Sequence, residues 1–455
     1  MEKTIAAIST APAPGGIGIV RISGGEAFAV AEKVFRGVSG KKVSQMKGYT
    51  AQLGGVYTPA GEKLDDVVAL VYRGPKSYTG EDVVELSCHG GLYMTKCLLQ
   101  LVLDAGAAPA GPGEFTRRAF LNGKMDLAQA EAVMGLISAS GEQARKAALA
   151  GSTGVLSRKI ESIKQGLLEQ AAHLAAWADF PEEDVPQVEE AALLEGIRQG
   201  EKALEELLQG FDRGRMYREG LVTVIAGRPN AGKSTLMNLL SGCQRSIVTQ
   251  YAGTTRDVVE ETVMVAGVPL RLADTAGIRD TDDPVESIGV QAARQRLETA
   301  QLVLAVFDSS QALEKEDWEL MDALEKVPAI AIVNKSDLPT RMDVEAIQGR
   351  FEKTVSLSAA TGEGLAALEQ ALSEILDTKD FHPQEGVLFT QRQRMDAQTA
   401  LDSLREGEQA LVLGLTLDAV TVCVEDALHA LAALTGEQVS EEIVDRVFEE
   451  FCVGK

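Results

Sequence analysis

Cysteine is scarce in this chain. Its 455 residues include five, scattered and without paired metal spacing. This argues against a disulfide framework and suits a reduced cytosol, so a cytoplasmic location is expected. Cys88-His89 is only superficially a metal pair, because two adjacent residues do not make a site. Long apolar runs are also missing. No stretch approaches the ~20 residues of a membrane span. The N-terminus does not run from basic to apolar as a signal peptide does, and no membrane association is expected. Positive charge is short as well: 44 Lys+Arg stand against 67 Asp+Glu, a net charge of −23. That balance argues against a generally basic nucleic-acid binder. It is uneven, however. Residues 1–150 hold 16 Lys+Arg and 14 Asp+Glu, so any polyanion should prefer the N-terminal third, although the attraction is weak. Hydrophobic residues make up 45% of the chain, which supports a folded protein. Its length exceeds one compact core, so about two to four domains are expected.

The most informative stretch is Gly227-Arg228-Pro229-Asn230-Ala231-Gly232-Lys233-Ser234. It fits the phosphate-loop pattern of two glycines spaced around four residues and followed by Lys and Ser. The apolar run 221–226 reads as a buried strand leading in, and 235–240 as a helix leading out. Loop amides and the helix N-terminus then face phosphate oxygens. Lys233 should reach the terminal phosphates and Ser234 should ligate Mg2+, with Thr235 following in the helix.

Four further elements follow in GTPase order. The first switch, Thr249-Gln250-Tyr251-Ala252-Gly253-Thr254-Thr255, offers Thr255 as a second Mg2+ ligand. Asp274-Thr275-Ala276-Gly277 ends a strand; Asp274 suits the Mg2+ shell and Gly277 an amide for the γ-phosphate. In Asn334-Lys335-Ser336-Asp337, the Asp337 carboxylate matches the two donors of the guanine edge, which adenine does not present. Ser358-Ala359 fits the fifth element, although Ala360 stands where Lys usually continues it. Ile278 occupies the position of the water-orienting Gln of Ras-like enzymes and cannot do that work. Asp280, Asp282, Asp283 and Glu286 are the nearby acids; Glu286 begins a helix, where an acid could also simply favour the dipole. No obvious arginine finger is offered; Arg256 and Arg279 are candidates.

The predicted architecture is a multidomain α/β protein. Strands are expected at 4–8, 19–23, 67–72 and 83–87, with a turn at 74–80. Glu85 sits within an apolar strand and is either a solvated carboxylate or a site residue. A turn, a short helix and a second turn are expected over 111–124. Helical periodicity then runs to about residue 209, with breaks at 151–154 and 181–186. A hairpin is expected around Ala266-Gly267, followed by short apolar strands at 302–307, 329–333 and 355–357. The economical arrangement is a domain over 1–120, a helical domain built from 121–215 and 380–455, and a Ras-like doubly wound G domain over 216–379 inserted into it. A separate C-terminal domain is the alternative.

Several segments resemble the bacterial tRNA-modification GTPases of the MnmE (TrmE) family. They are 16–24, 77–82, 112–115 and 121–131, together with the first switch and the terminal Cys452-Val453-Gly454-Lys455. The resemblance covers essentially the whole length. It implies a K+ ion held near the first switch by Asn230, Thr249, Tyr251 and Thr254 in place of an arginine finger. It also implies Glu286 as the acid that orients water. The N-terminal domain would bind a tetrahydrofolate derivative, in the 5-formyl or methylene form, through Arg21, Glu85, Lys124 and Lys455, and would form a homodimer. Cys452 would act near that site; an exposed terminal thiol is the other reading. A heterotetramer with the FAD-carrying protein MnmG would build an aminomethyl-type group on the wobble uridine of tRNA. Nothing in this chain reads as an FAD site, which fits that division. A GTP-switched binding module, such as a ribosome-assembly GTPase, is the competing function.

Overall fold

The structure, a computed structural model, describes residues 3–179, 190–242, 261–272, 300–376, 382–449 and 451–454. The chain divides into two compact units. One comprises Met1–Met134 with Leu428–Lys455, and the other Gly135–Ala427.

The first unit is built on a seven-stranded sheet in the order β3-β4-β5-β6-β2-β1-β7. Its strands are β1 Ile5–Ile8, β2 Ile17–Ser23, β3 Phe35–Gly37, β4 Thr50–Tyr57, β5 Lys63–Tyr72, β6 Val83–His89 and β7 Ala108–Pro109. The period of two decides which side chains are inside. Val67, Ala69 and Val71 of β5, with Val84, Leu86 and Cys88 of β6, join one core. Helices α1 (Ala27–Val34) and α2 (Leu92–Asp104) add Ala27, Val30, Leu98 and Val102 to that core. The alternate residues, Arg21 and Glu85 among them, therefore occupy the opposite face. Three of the four expected strands are longer than their apolar runs, because ladder pairing continues past the last apolar residue. Strands β3, β4 and β7 and helices α1 and α2 carried no signal that the sequence reading used.

Helix α3 (Glu114–Leu121) lies between two turns as expected. Helix α4 (Leu127–Ser138) starts at a reciprocal cap: Asp126 Oδ1 accepts from the Gln129 amide at 2.8 Å, and Gln129 Oε1 from the Asp126 amide at 2.9 Å. The C-terminal segment packs onto the start of this helix. Val444, Phe448 and Phe451 form one buried cluster with Leu127 and Ala130, so Leu428–Lys455 belongs to the N-terminal unit.

The second unit contains the long helices α5 (Glu142–Ser152), α6 (Val155–Asp179) and α7 (Glu190–Glu219). The chain turns at 153–154 as expected, and also at 139–141, where no break was expected. The expected break at 181–186 lies outside the described residues. A six-stranded sheet follows in the order β13-β12-β11-β8-β10-β9. Its strands are β8 Leu221–Ala226, β9 Glu261–Val265, β10 Val268–Leu272, β11 Leu302–Asp308, β12 Ala329–Asn334 and β13 Lys353–Ser356. Only the β9–β10 hairpin is antiparallel; the other pairs are parallel. Every residue of β11 is buried, as expected for a central parallel strand covered on both faces. Helices α8 (Lys233–Gly242), α9 (Lys315–Ala323), α10 (Val344–Gln348) and α11 (Leu365–Ile375) alternate with the strands. Helices α12 (Gln391–Val412) and α13 (Leu417–Thr435) follow, the latter running on into the first unit, to which α14 (Glu441–Glu449) belongs. The sheet is thus inserted between helical segments, as the sequence pattern predicts.

The core of this sheet generates one stability test. Phe307 is buried on β11 and meets the Phe351 ring edge-on at 5.9 Å between centroids. We expect Phe307→Ala to cost about 3–5 kcal/mol, read as a lower urea midpoint for release of a bound fluorescent guanine nucleotide.

Candidate functional site

The nucleotide site forms where β8, β11 and β12 end together. The phosphate loop joins β8 to α8, as the motif requires. Gly227 has φ +154° and its position lies against β11: a Cβ there would stand 2.3 Å from the Val306 carbonyl oxygen. Only glycine permits that approach. Asn230 takes the left-handed conformation at φ 62° and is exposed at the crown of the loop. Lys233 Nζ donates to the carbonyls of Gly227 at 2.8 Å and Arg228 at 2.7 Å, so the ammonium is folded over its own loop. Ser234 and Thr235 are exposed at the start of α8, where a hydroxyl can reach a metal at the phosphates.

The guanine end is tied to the phosphate end through one side chain. The buried Asn334 carboxamide donates to the Ala231 carbonyl at 2.8 Å and accepts from the Ala359 amide at 2.9 Å. Ser358 is buried beneath the same turn, and Asp337 is exposed and available to a base. Lys335 has φ 63°, and its ammonium pairs with Asp308 Oδ2 at 2.6 Å. Burial pushes the Asp308 carboxyl up, but hydrogen bonds from Lys335 and Ser310 outweigh it and hold the group below its ordinary value. Sequence reasoning missed Asp308; the acid ending an all-apolar strand was its signal.

Arg21 and Glu85 are brought together in the other unit. They are register partners on β2 and β6, and Arg21 Nε donates to Glu85 Oε1 at 2.8 Å. The Tyr72 hydroxyl donates to Glu85 Oε2 at 3.4 Å. These residues, with Tyr78 and Val83, line a cavity of about 170 Å³. The Arg21 guanidinium lies 5.5 Å from the Phe115 ring centroid and 6.0 Å from that of Tyr78. Burial raises the Tyr78 phenol, and burial with the nearby Glu85 charge raises that of Tyr72, so both stay neutral donors at ordinary pH. Tyr72 and Tyr78 were not singled out from sequence. Lys124 does not line the cavity: its ammonium donates to the Pro75 carbonyl at 3.0 Å, on the turn that carries Tyr78.

The C-terminal tail reaches this site. Val453 bridges Pro112, and the Cys452 carbonyl accepts from the Gly113 amide at 3.3 Å. The Gly454 carbonyl accepts from Arg21 Nη1 at 3.3 Å and from the Ser9 hydroxyl at 3.1 Å. Gly454 has φ +99°, and a Cβ there would stand 2.2 Å from the Ile8 carbonyl oxygen. The Cys452 residue is exposed. Thr249, Gln250, Tyr251, Ala252, Gly253, Thr254, Thr255, Asp274, Thr275, Ala276, Gly277, Glu286 and Lys455 lie outside the described residues. Among the described residues no cluster of His, Cys, Asp and Glu suits a metal ion, and no helix is long and apolar enough to cross a membrane.

Two family models match the chain. One, described as GTP-binding protein TrmE N-terminus, covers residues 4–124. The other, described as MnmE helical domain, covers residues 127–452. Relatives named tRNA modification GTPase MnmE align along the full length. That of Symbiobacterium thermophilum is 45% identical over 457 residues, covering 100% of both chains. That of Alkaliphilus oremlandii is 42% identical over 459 residues, again covering 100% of both. Among solved structures, Era from Aquifex aeolicus aligns with 42% of this chain and 67% of its own at 26% identity, with a TM-score of 0.28 that carries no weight here. By its matched domains and its full-length relatives, the chain belongs to the MnmE (TrmE) family of tRNA modification GTPases.

Proposed function

We propose that this tRNA modification GTPase hydrolyses GTP in a K+-dependent way, and that hydrolysis gates a folate-dependent modification of the tRNA wobble uridine carried out with an FAD-containing MnmG partner. The observation that carries the folate part is the Arg21–Glu85 cavity with the tail laid against it. A GTP switch alone has no use for such a site.

The residues present suit the groups that would bind. Lys233 and the loop amides hold the β- and γ-phosphates. Ser234 and Thr255 complete a Mg2+ site, which offsets phosphate charge. Asn230, at the exposed crown, offers an oxygen to K+ together with Thr249, Tyr251 and Thr254. A cation held by these residues would offset the charge that develops between the β- and γ-phosphates. Glu286 orients the attacking water. Asp337 selects guanine, while Asn334 holds the base and phosphate loops at a constant separation. In the cavity, Glu85 accepts from the donor edge of a pterin, the tyrosine rings flank it, and Arg21 keeps donors for a carboxylate. By the family resemblance Lys124 and Lys455 would supply further cations, and Cys452 a thiol.

The sheet face that carries Arg21 and Glu85 supports a homodimer. Strand register places Ile19, Ser87, Val68 and Leu53 in one row across it. Ile17 and Leu53 on that face are 65% and 57% exposed, an apolar surface suited to a second copy.

Four outcomes are expected. Glu286→Ala should bind GTP as the wild type does but lose most turnover. The wild type should turn over faster in KCl than in NaCl at equal ionic strength; equal rates would remove K+ from the mechanism. Arg21→Met and Glu85→Gln should each weaken binding of a reduced folate by about 10–100-fold in calorimetry on the full chain; unchanged heats would discard the cavity as the folate site. Mass spectrometry of tRNA nucleosides from a deletion strain should lack a modified wobble uridine. Wild type should restore it and Cys452→Ser should not.

A further inference from the structure

Arg228 has no assigned role in the reaction, yet its side chain is among the most firmly held at the nucleotide site. It is only 11% exposed and points away from the phosphates, to the start of α9. There Nη1 meets Glu314 Oε2 at 2.7 Å and Nε meets Asp317 Oδ2 at 2.9 Å. The Asp317 side chain is 3% exposed, and the same Oδ2 accepts the Glu314 amide at 3.0 Å, capping the helix. A buried carboxylate with two donors is a rigid anchor.

The backbone of the same residue carries the consequence. The Arg228 carbonyl accepts both Lys233 Nζ, at 2.7 Å, and the Ala231 amide, at 3.3 Å. This oxygen, together with the Gly227 carbonyl, therefore seats the lysine ammonium. Gly227 is wedged against β11, and Ala231 is held by Asn334. Between those two fixed points, the side chain of Arg228 is what ties the leading half of the loop to the body of the domain.

We propose that Arg228 is a positioning residue for GTP: its pairing with Glu314 and Asp317 fixes the phosphate-loop carbonyl that seats Lys233, and so couples the β-phosphate site to α9. With two carboxylates against it, the guanidinium is already neutralised and does not serve as an arginine finger. It acts on phosphate through Lys233.

The test uses the full-length chain and competition with a fluescent-labelled guanine nucleotide. Arg228→Met removes the charge and keeps the length of the side chain. GDP and GTP affinities should fall about tenfold, the loss of one charge-assisted contact. GMP has no β-phosphate, and its affinity should not change. The KM for GTP should rise by a larger factor than kcat falls, and Arg228→Lys, which can meet one acid at a time, should recover part of the loss. The urea midpoint of the nucleotide-free protein should fall, because Asp317 keeps only the Glu314 amide as donor, while GMP affinity holds. Unchanged GDP affinity would overturn the proposal. So would an equal loss for GMP, GDP and GTP with a lowered midpoint, because that pattern marks a stabilising pair with no bearing on the phosphates. If Arg228→Met does not fold, Glu314→Gln carries the test: Glu314 is 63% exposed and its loss leaves Asp317 in place. A smaller loss, about twofold to threefold and again confined to GDP and GTP, is expected; none would overturn the proposal.

Discussion

The carboxamide of Asn334 is the contact on which the nucleotide site depends. It is buried, and its two hydrogen bonds join segments far apart in sequence, the phosphate loop at Ala231 and the fifth element at Ala359. Either bond broken would leave a desolvated amide or carbonyl without a partner, at a cost of about 1–3 kcal/mol. The separation between base-reading and phosphate-holding groups is therefore set by the ends of parallel strands. Mobile side chains do not determine it. Strand β12 delivers Asn334, and strand β11 delivers both the surface that Gly227 meets and Asp308, which holds Lys335.

The N-terminal unit solves a different problem. A carboxylate and a guanidinium both placed on a mostly apolar strand pair would each be costly to bury alone. As cross-strand register partners they neutralise one another and still present unused donors and acceptors to the cavity. The aromatic rings of Tyr78 and Phe115 supply a surface for the guanidinium, and the tail carbonyl of Gly454 takes one of its remaining donors. The C-terminus thereby becomes part of a site whose other members lie between Ser9 and Phe115. The tail passes close to β1, and a side chain at Gly454 would meet Ile8.

Legibility from the sequence followed the range of the interactions. The phosphate loop, its strand and its helix were readable because glycine spacing, an apolar run and helical periodicity are local. The β9–β10 hairpin was readable from Ala266-Gly267 for the same reason. Helices α1 and α2 were passed over because α1 is only eight residues long and α2 is apolar at most positions, so no single helical stripe stood out. Glu85 was ambiguous because a period of two gives alternate faces without saying which face is buried. The switch residues were named from their motifs and Glu286 from the family resemblance, and all of them lie outside the described residues.

Composition and spacing by themselves determined that this chain binds GTP and that helical segments flank the nucleotide domain. The first follows from motifs of a dozen residues or fewer, the second from helical periodicity on either side of them. Tertiary structure alone decided that Glu85 faces Arg21, that Arg228 turns from the phosphates to α9, and that the last helix joins the first unit through Phe448 and Phe451. These depend on strand register and on which apolar faces find each other, and the free energy of such burial belongs to pairs of surfaces distant in sequence.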